Sequence, residues 1–343
     1  MKPTDFSYYL TSFLTKYLPS ECGSSQHTIA SYRDTFVLFL SYLRHFHKLP
    51  AHRLILKEIT HEKVVHFLEW IEVDRGCSVS TRNVRLAAIH SFFNYMQYAY
   101  PDLINEWQQI MTIPTKKTET TIPTYMALDA ISLLLQMPDQ STKSGRRDLA
   151  LLALMFDTGA RVSEIITLKA GMVRLDTPCT IKVIGKGRKV RIIPLLMQQT
   201  DILRNYMTEN NLSCSKANEY PLFPNKNGKH MTRQGITYIV KKYVKMAKDH
   251  ALSVGVLVPD KISCHSIRHS KAMAMMGADI DLIYIRDLLG HVSVKTTEIY
   301  ARIDSEKKRQ AMEQAYDNTV VPDAIASWES DDELMAWLKS FDK

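Results

Sequence analysis

Four short clusters in the second half of this 343-residue sequence hold side chains able to do chemistry. The first, Thr158-Gly159-Ala160-Arg161-Val162-Ser163-Glu164, follows an apolar helix from Asp148 to Phe156. Gly159 ends that helix, and Arg161 and Glu164 then fall on one face, three residues apart. The second, Gly185-Lys186-Gly187-Arg188-Lys189, puts three cations on a glycine-rich turn whose backbone can approach a phosphate. It lacks the G-x-x-x-x-G-K-S/T spacing of a nucleotide loop. In the third, His265-Ser266-Ile267-Arg268-His269, His265 and Arg268 share a helical face beside Met273 and Met276. Gly277 closes that helix, and a further one is expected over Asp279 to Leu289. The fourth runs from Leu289-Gly290-His291 to Tyr300. Singly, each has an everyday explanation: a surface ion pair, a solvated turn, an ordinary αα-hairpin, a packed tyrosine. Jointly they offer two arginines, a mobile lysine, two histidines and a tyrosine, with no carboxylate cluster to hold Mg²⁺. Two guanidiniums can neutralise the oxygens of a phosphodiester as charge builds in a pentavalent transition state. A histidine can take a proton from a nucleophile or hydrogen-bond a phosphate oxygen, and a lysine can protonate a departing alkoxide. A tyrosine hydroxyl supplies a nucleophile whose phosphoester conserves bond energy for religation. Such a set performs transesterification.

The elements that must position these groups are mostly helical. Thr28–Leu43, His61–Val73 and Ser80–Tyr98 show apolar residues at helical spacing, and four or five helices without a strand account for the first 110 residues. Arg82 and Arg85 lie i, i+3 on the third of these helices, facing either a partner or solvent. Met111 to Tyr125 has two prolines, many threonines and no apolar stripe, which predicts an extended linker. Beyond it the pattern is again helical except at Thr180–Leu195, where two β-branched runs flank the Gly185–Lys189 turn and predict a β-hairpin. The expected division is a helical domain at 1–110, a linker at 111–125, a second domain at 126–320 and an acidic tail at 321–343. Two Trp residues in the tail imply that it folds back or docks on a neighbour.

Net charge is +8, shared very unequally. Residues 1–110 carry +1, residues 111–320 carry +11 and residues 321–343 carry −4. The cationic stretch is the one holding all four clusters, which fits a polyanion partner as well as a solvated basic surface. With 45% hydrophobic and 23% charged residues, the composition excludes a disordered or collagenous chain. No apolar run reaches membrane-span length, and the first residues do not read as a signal peptide. The five scattered cysteines lack metal-ligand or disulfide spacing, so reduced thiols and a cytoplasmic, nucleoid-associated location are expected.

Taken in order, the four clusters resemble those of the tyrosine recombinase (phage integrase) family. Arg161 matches the family's first arginine and Glu164 its acidic supporter; Lys186 matches the hairpin lysine, and His265 and Arg268 the H-x-x-R box. His291 and Tyr300 match L-G-H-x-S-x-x-T-T-x-x-Y. Ser266 and Ser270 depart from the acidic residue and threonine common in that neighbourhood. Ser80-Thr81-Arg82-Asn83-x-Arg85 followed by Phe92-Phe93-x-Tyr95 is similar to the family's core-binding domain.

The resemblance implies a mainly α fold with a small β-hairpin or sheet in the catalytic domain, closing with the helical domain as a C-shaped clamp on duplex DNA. It implies that Tyr300 forms a 3′-phosphotyrosyl bond, that Arg161, Arg268 and His291 hold the phosphate, and that His265 and Lys186 handle the protons. Arg82, Arg85, Arg188 and Lys189 are the expected DNA contacts. It further implies inverted-repeat core sites, a tetramer joined through the tail, a Holliday junction, no cofactor, and in some systems an accessory recombinase or directionality factor. The biological role is expected to be integration, excision or transposition of a mobile element, or else resolution of replicon dimers. A type IB topoisomerase, a non-catalytic DNA-binding module and a metal nuclease are the rival classes.

Overall fold

The protein was analysed as a computed structural model, which describes residues 3–118, 123–291, 297, 298, 300, 336 and 340. The chain divides into two compact units, Met1–Thr120 and Thr121–Lys343.

The first unit holds α1 (Asp5–Ser12), which continues as a π-helical segment Phe13–Glu21, then α2 (Gln26–Phe46), α3 (His61–Glu72), α4 (Val79–Ala99) and α5 (Ile104–Met111). Thr4, Ser25, Thr60 and Ser78 cap the starts of α1 to α4 by accepting a backbone N–H on the side chain. The core is aromatic. Phe13, fully buried, has Tyr17, Tyr32, Phe36, Phe92 and Tyr95 around its ring. The stretch expected as an extended linker begins inside this unit. Met111 closes α5, Ile113 is buried, and Asn83 hydrogen-bonds both the N–H and the C=O of Lys116.

Arg82 also differs from expectation. It is 6% exposed, and its guanidinium donates to Pro114 O at 2.9 Å and to Asn83 Oδ1 at 3.2 Å. Arg85 donates to Ser31 O and Thr35 Oγ1 on α2. The pair therefore stitches α4 to its neighbours within the unit. An arginine read from spacing is assigned by default to a surface, and here apolar stems and nearby carbonyls draw both inward.

The second unit is built on α7 (Lys143–Thr158), whose run Ala150–Met155 is buried all round. It follows α6 (Leu128–Gln136) and leads to the short α8 (Val162–Ile166). An antiparallel sheet in the order β1 (Val173–Arg174), β2 (Thr180–Ile184), β3 (Val190–Pro194) comes next. β2 and β3 are the expected hairpin, with Ile184 opposite Val190, whereas β1, two residues long, adds an edge that no sequence pattern marks. Ile181, Val183 and Ile193 point into the core while Lys182 and Ile192 face out, the period-2 alternation of a half-buried sheet. Helices α9 (Met197–Glu209), α10 (Arg233–Val254), α11 (Cys264–Gly277) and α12 (Leu282–Leu289) complete the unit. No helix among the described residues is long and apolar enough to cross a membrane. All five cysteines are unpaired. The tail call over 321–343 lies outside the described residues apart from positions 336 and 340.

Candidate active site

The second unit gathers Arg161, Glu164, Arg268, His291 and Tyr300 around the C-terminal end of α12. A helix leaves its last carbonyls without intrahelical partners and carries partial negative charge there. Three arginines from three different elements meet three successive carbonyls at this end. Arg191 of β3 donates from Nε to Leu288 O at 2.8 Å, and Arg268 of α11 donates from Nη2 to Leu289 O at 2.7 Å. Arg161, at the start of α8, donates from Nη2 to Gly290 O at 3.3 Å. The next residue is His291. Gly290 has φ +65°, and a Cβ there would lie 2.9 Å from an Arg191 guanidinium nitrogen, so this close approach of backbone to cation requires glycine.

Glu164 joins two of the three arginines. It is 4% exposed and accepts from the Arg161 backbone N–H, from Arg161 Nη1, and from both terminal nitrogens of Arg191. Burial alone would raise the pKa of this carboxyl. Hydrogen bonds from Arg191 and the Arg161 backbone outweigh that and hold it below its ordinary value. The Arg161–Glu164 spacing is thus part of a three-residue network, centred on a buried carboxylate, that shapes the site.

Arg268 is 1% exposed and also donates from Nη1 to Gly159 O at 2.7 Å, while its Nε has no partner. Burial, helped by the Arg161 charge, lowers its pKa to about 10. Gly159 ends α7 with φ +55°, and a Cβ there would meet Leu289 Cδ2 at 2.6 Å. The carbonyl that Arg268 holds is therefore fixed by tight packing against α12.

Tyr300 is buried, with 2% exposure, beside Ala272, Met275, Met276, Ile285 and Leu289. Its hydroxyl is 2.8 Å from His269 Nδ1, and its ring lies 6.5 Å from that of His291 in a stacked orientation. Burial raises the hydroxyl pKa, with Arg268 and Arg161 working in the opposite sense. His291 is tied by Nδ1 to Thr297 Oγ1 at 2.9 Å, and burial with the Arg268 and Arg161 charges lowers its pKa to about 4. His265 is exposed at the start of α11. Surrounding protein, then Arg268, Arg161 and Arg233, lower its pKa.

The two serines that depart from the family pattern have structural uses. Ser263 and Ser266 form a reciprocal capping box at the start of α11. Ser270 Oγ donates to Ser266 O and accepts from Met126 N.

Lys186 opens the 3₁₀ turn Lys186–Arg188 between β2 and β3; Arg188 and Lys189 beside it are exposed. Arg82 and Arg85 belong to the first unit and are not part of this cluster. Two residues of the network carry no mark in the sequence. Arg191 reads as one more hairpin cation, and His269 as a neighbour of the H-x-x-R box. The only available signal for His269 is its place one residue after Arg268 and four after His265 on the same helix. Among the described residues no group of three His, Cys, Asp or Glu is placed to hold a metal ion.

Comparison with known proteins bears on the family and the fold. The sequence matches the phage integrase family over residues 124–307 and the phage integrase N-terminal SAM-like domain over residues 11–99. It is 35% identical to the integrase/recombinase y4rC of Sinorhizobium fredii over 96% of this chain and 97% of that one. It is 33% identical to tyrosine recombinase XerC of Roseiflexus castenholzii, covering 85% and 88% respectively. In fold it is similar to the XerH site-specific recombinase bound to palindromic difH substrate (TM-score 0.67, 24% identity, 90% of this chain and 85% of that one). It is also similar to the Tn1549 transposon integrase in complex with transposon right end DNA (TM-score 0.66, 15% identity, 88% of this chain and 98% of that one). With a helical first unit, a second unit of helices around a small sheet, and matches spanning both, the chain belongs to the phage integrase family of tyrosine recombinases.

Proposed function

We propose that the protein is a site-specific DNA recombinase in which Tyr300 cuts and rejoins strands by transesterification. The observation that carries this reading is the convergence of Arg161, Arg268, His291 and Tyr300 at the end of α12, from segments well apart in the chain. Tyr300 Oη attacks the scissile phosphorus, the P–O5′ bond breaks, and a 3′-phosphotyrosyl bond forms with release of a 5′-hydroxyl. Arg161 and Arg268 have guanidinium donors beyond those spent on carbonyls, and these meet the equatorial phosphate oxygens as negative charge grows. His265 and His291 add neutral hydrogen bonds to the same oxygens, and Lys186 delivers the proton to O5′. Religation reverses these steps. Strand exchange in two rounds passes through a Holliday junction held by four protomers, with the tail 321–343 as the docking element and no metal or nucleotide required.

Duplex DNA with inverted-repeat core sites is the proposed partner. Arg188 and Lys189, exposed on the hairpin turn, are the proposed phosphate contacts. Similarity along nearly the whole length of an integrase/recombinase supports integration, excision or transposition of a mobile element as the biological role. Sequencing the junctions formed in a host carrying the gene tests this, and junctions confined to replicon-dimer sites would instead assign dimer resolution.

The chemistry is tested on a nicked suicide substrate, where the parent protein accumulates a covalent adduct that survives denaturant. Tyr300→Phe should abolish the adduct, a loss of at least about 10³-fold, while retaining the gel shift. An adduct in that variant, or adduct formation that stops on addition of EDTA, would overturn the assignment.

A further inference from the structure

The four boxes leave one contact to the nucleophile unassigned. Among the described residues, His269 is the one whose side chain hydrogen-bonds the reacting atom: its Nδ1 lies 2.8 Å from Tyr300 Oη, within hydrogen-bond range. His265, the histidine that the H-x-x-R pattern offers for the nucleophile's proton, has no hydrogen bond to Tyr300. It meets His269 edge-to-face, ring centroids 4.4 Å apart. His269 is part-buried, and Tyr300 is closed in by the apolar face of α11 and α12. A hydroxyl so enclosed needs a partner for its proton within the protein, since water cannot take it directly.

We propose that His269 is the catalytic base for Tyr300, receiving the Oη proton at Nδ1 as the O–P bond forms, and returning it when the phosphotyrosyl bond is reversed. This rests on Tyr300 being the nucleophile. In the forward step Tyr300 Oη gives its proton to the neutral imidazole and its electron pair to phosphorus. The P–O5′ pair leaves with O5′, which takes a proton from Lys186. His265 is thereby left free to donate to a phosphate oxygen. For this role His269 must be neutral before the reaction, and its setting keeps it so: burial, then the His265 and Arg268 charges, lower its pKa to about 4. The other titratable groups at this point are His291, across the Tyr300 ring, and Arg161. Removal of the hydroxyl's proton is a separate task from binding the phosphate, and it needs a group within hydrogen-bond reach of Oη, as His269 is.

The experiment is single-turnover adduct formation on the suicide substrate at saturating DNA, from about pH 6 to about pH 9. Parent protein should be nearly flat over this range, because the base is already neutral. His269→Gln should be slower by about 10²-fold near neutrality. Its rate should climb about tenfold per pH unit, because the hydroxyl must now ionise unaided. His269→Asn, whose amide can still hydrogen-bond Oη but cannot take a proton, should behave in the same way, which a purely positional role would not produce. With a bridging 5′-sulfur substrate, whose leaving group needs no proton, Lys186→Ala should recover while His269→Gln should not.

Parent-like rate and pH profile in both His269 variants would overturn the inference, as would a climbing profile found in His265→Gln alone. Should a His269 variant lose the gel shift, the contact is read instead from imidazole NMR resonances in Tyr300→Phe. The His269 signal should move, and an unmoved signal overturns the contact. Persistence of adduct in Tyr300→Phe would mark failure of the underlying assignment. A silent Tyr300→Phe with parent-like His269 variants would mark failure of this inference alone.

Discussion

Each unit buries arginines, and in each they reach for backbone carbonyls. In the first unit Arg82 donates to Pro114 O and Arg85 to Ser31 O, and the Nε of each lacks a partner. In the second unit Arg268 donates to Gly159 O and Leu289 O, and its Nε is likewise unpartnered. By burial and by hydrogen-bond type, Arg82 and Arg268 are near equivalents. Their company differs. Arg82 stands with Asn83 and Pro114, both within the first unit, whereas Arg268 stands with Arg161, Glu164, His265 and Tyr300, each of which affects its charge or is affected by it. A buried arginine is a structural cross-link by default; a tyrosine hydroxyl and a second guanidinium nearby are what the proposed phosphate site adds to the same geometry.

The sharpest way to break this comparison is to make the same substitution in both units. Arg268→Lys loses the planar fork that spans two carbonyls and should lower single-turnover cleavage by about 10²–10³-fold with the gel shift retained. Arg82→Lys should leave cleavage at saturating DNA within about 2-fold and cost about 1–2 kcal/mol of stability, read as a shift in denaturant midpoint. Equal losses of cleavage would mean that Arg82 is no mere cross-link. Carboxylates sharpen the contrast at smaller scale. Glu164→Gln removes the buried charge shared by two arginines and should cost about 3 kcal/mol. Glu72→Gln, which removes the half-exposed bridge to Lys116, should cost less than about 1 kcal/mol. Similar costs for the two would show that burial does not set the worth of these pairs.

What could be foreseen in the sequence follows the same division between local pattern and tertiary company. The helices α2, α3 and α4 announce themselves because apolar residues repeat at helical spacing next to a Ser or Thr cap, and β2–β3 because alternation flanks a glycine turn. The four boxes are legible because spacing within each is local. Arg191 is not: its bond to Leu288 O joins residues 97 apart, and only the packing of β3 beside α12 gives it that task. His269 needs Tyr300, 31 residues on, to become more than a helical histidine. Arg82 misleads because Ser-Thr-Arg-Asn-x-Arg reads as an exposed polar face, whereas the chain after α5 folds over it. The π-helical continuation of α1, with Pro19 inside it, also has no periodic signal. There a proline that would ordinarily stop a helix is accommodated by wider hydrogen bonding.

The smallest expected effect concerns acid. His269 and His291 both have pKa values lowered to about 4, chiefly by burial, from an ordinary 6.5. Between those values the unfolded chain binds protons that the folded chain refuses, so stability is fully present above pH 6.5 and declines as pH falls towards 4. Glu164 acts lower still, since its carboxylate is held charged below its ordinary 4.5 and its contribution is lost only beneath that value. The first unit has part-buried histidines of its own, His47 and His90, whose pKa values desolvation also lowers. Acid should therefore weaken both units, and histidine substitutions should separate them. Calorimetric Tm compared at about pH 7 and about pH 5 should fall less in His269→Gln/His291→Gln than in the parent, by on the order of 2–4 °C. The Tm difference between the two pH values should stay at the parental size in His27→Gln, a histidine exposed on α2. A parental difference in the double variant would mean that the two site histidines already carry protons at pH 5. That would also remove the neutral imidazole on which the proposed proton transfer from Tyr300 depends.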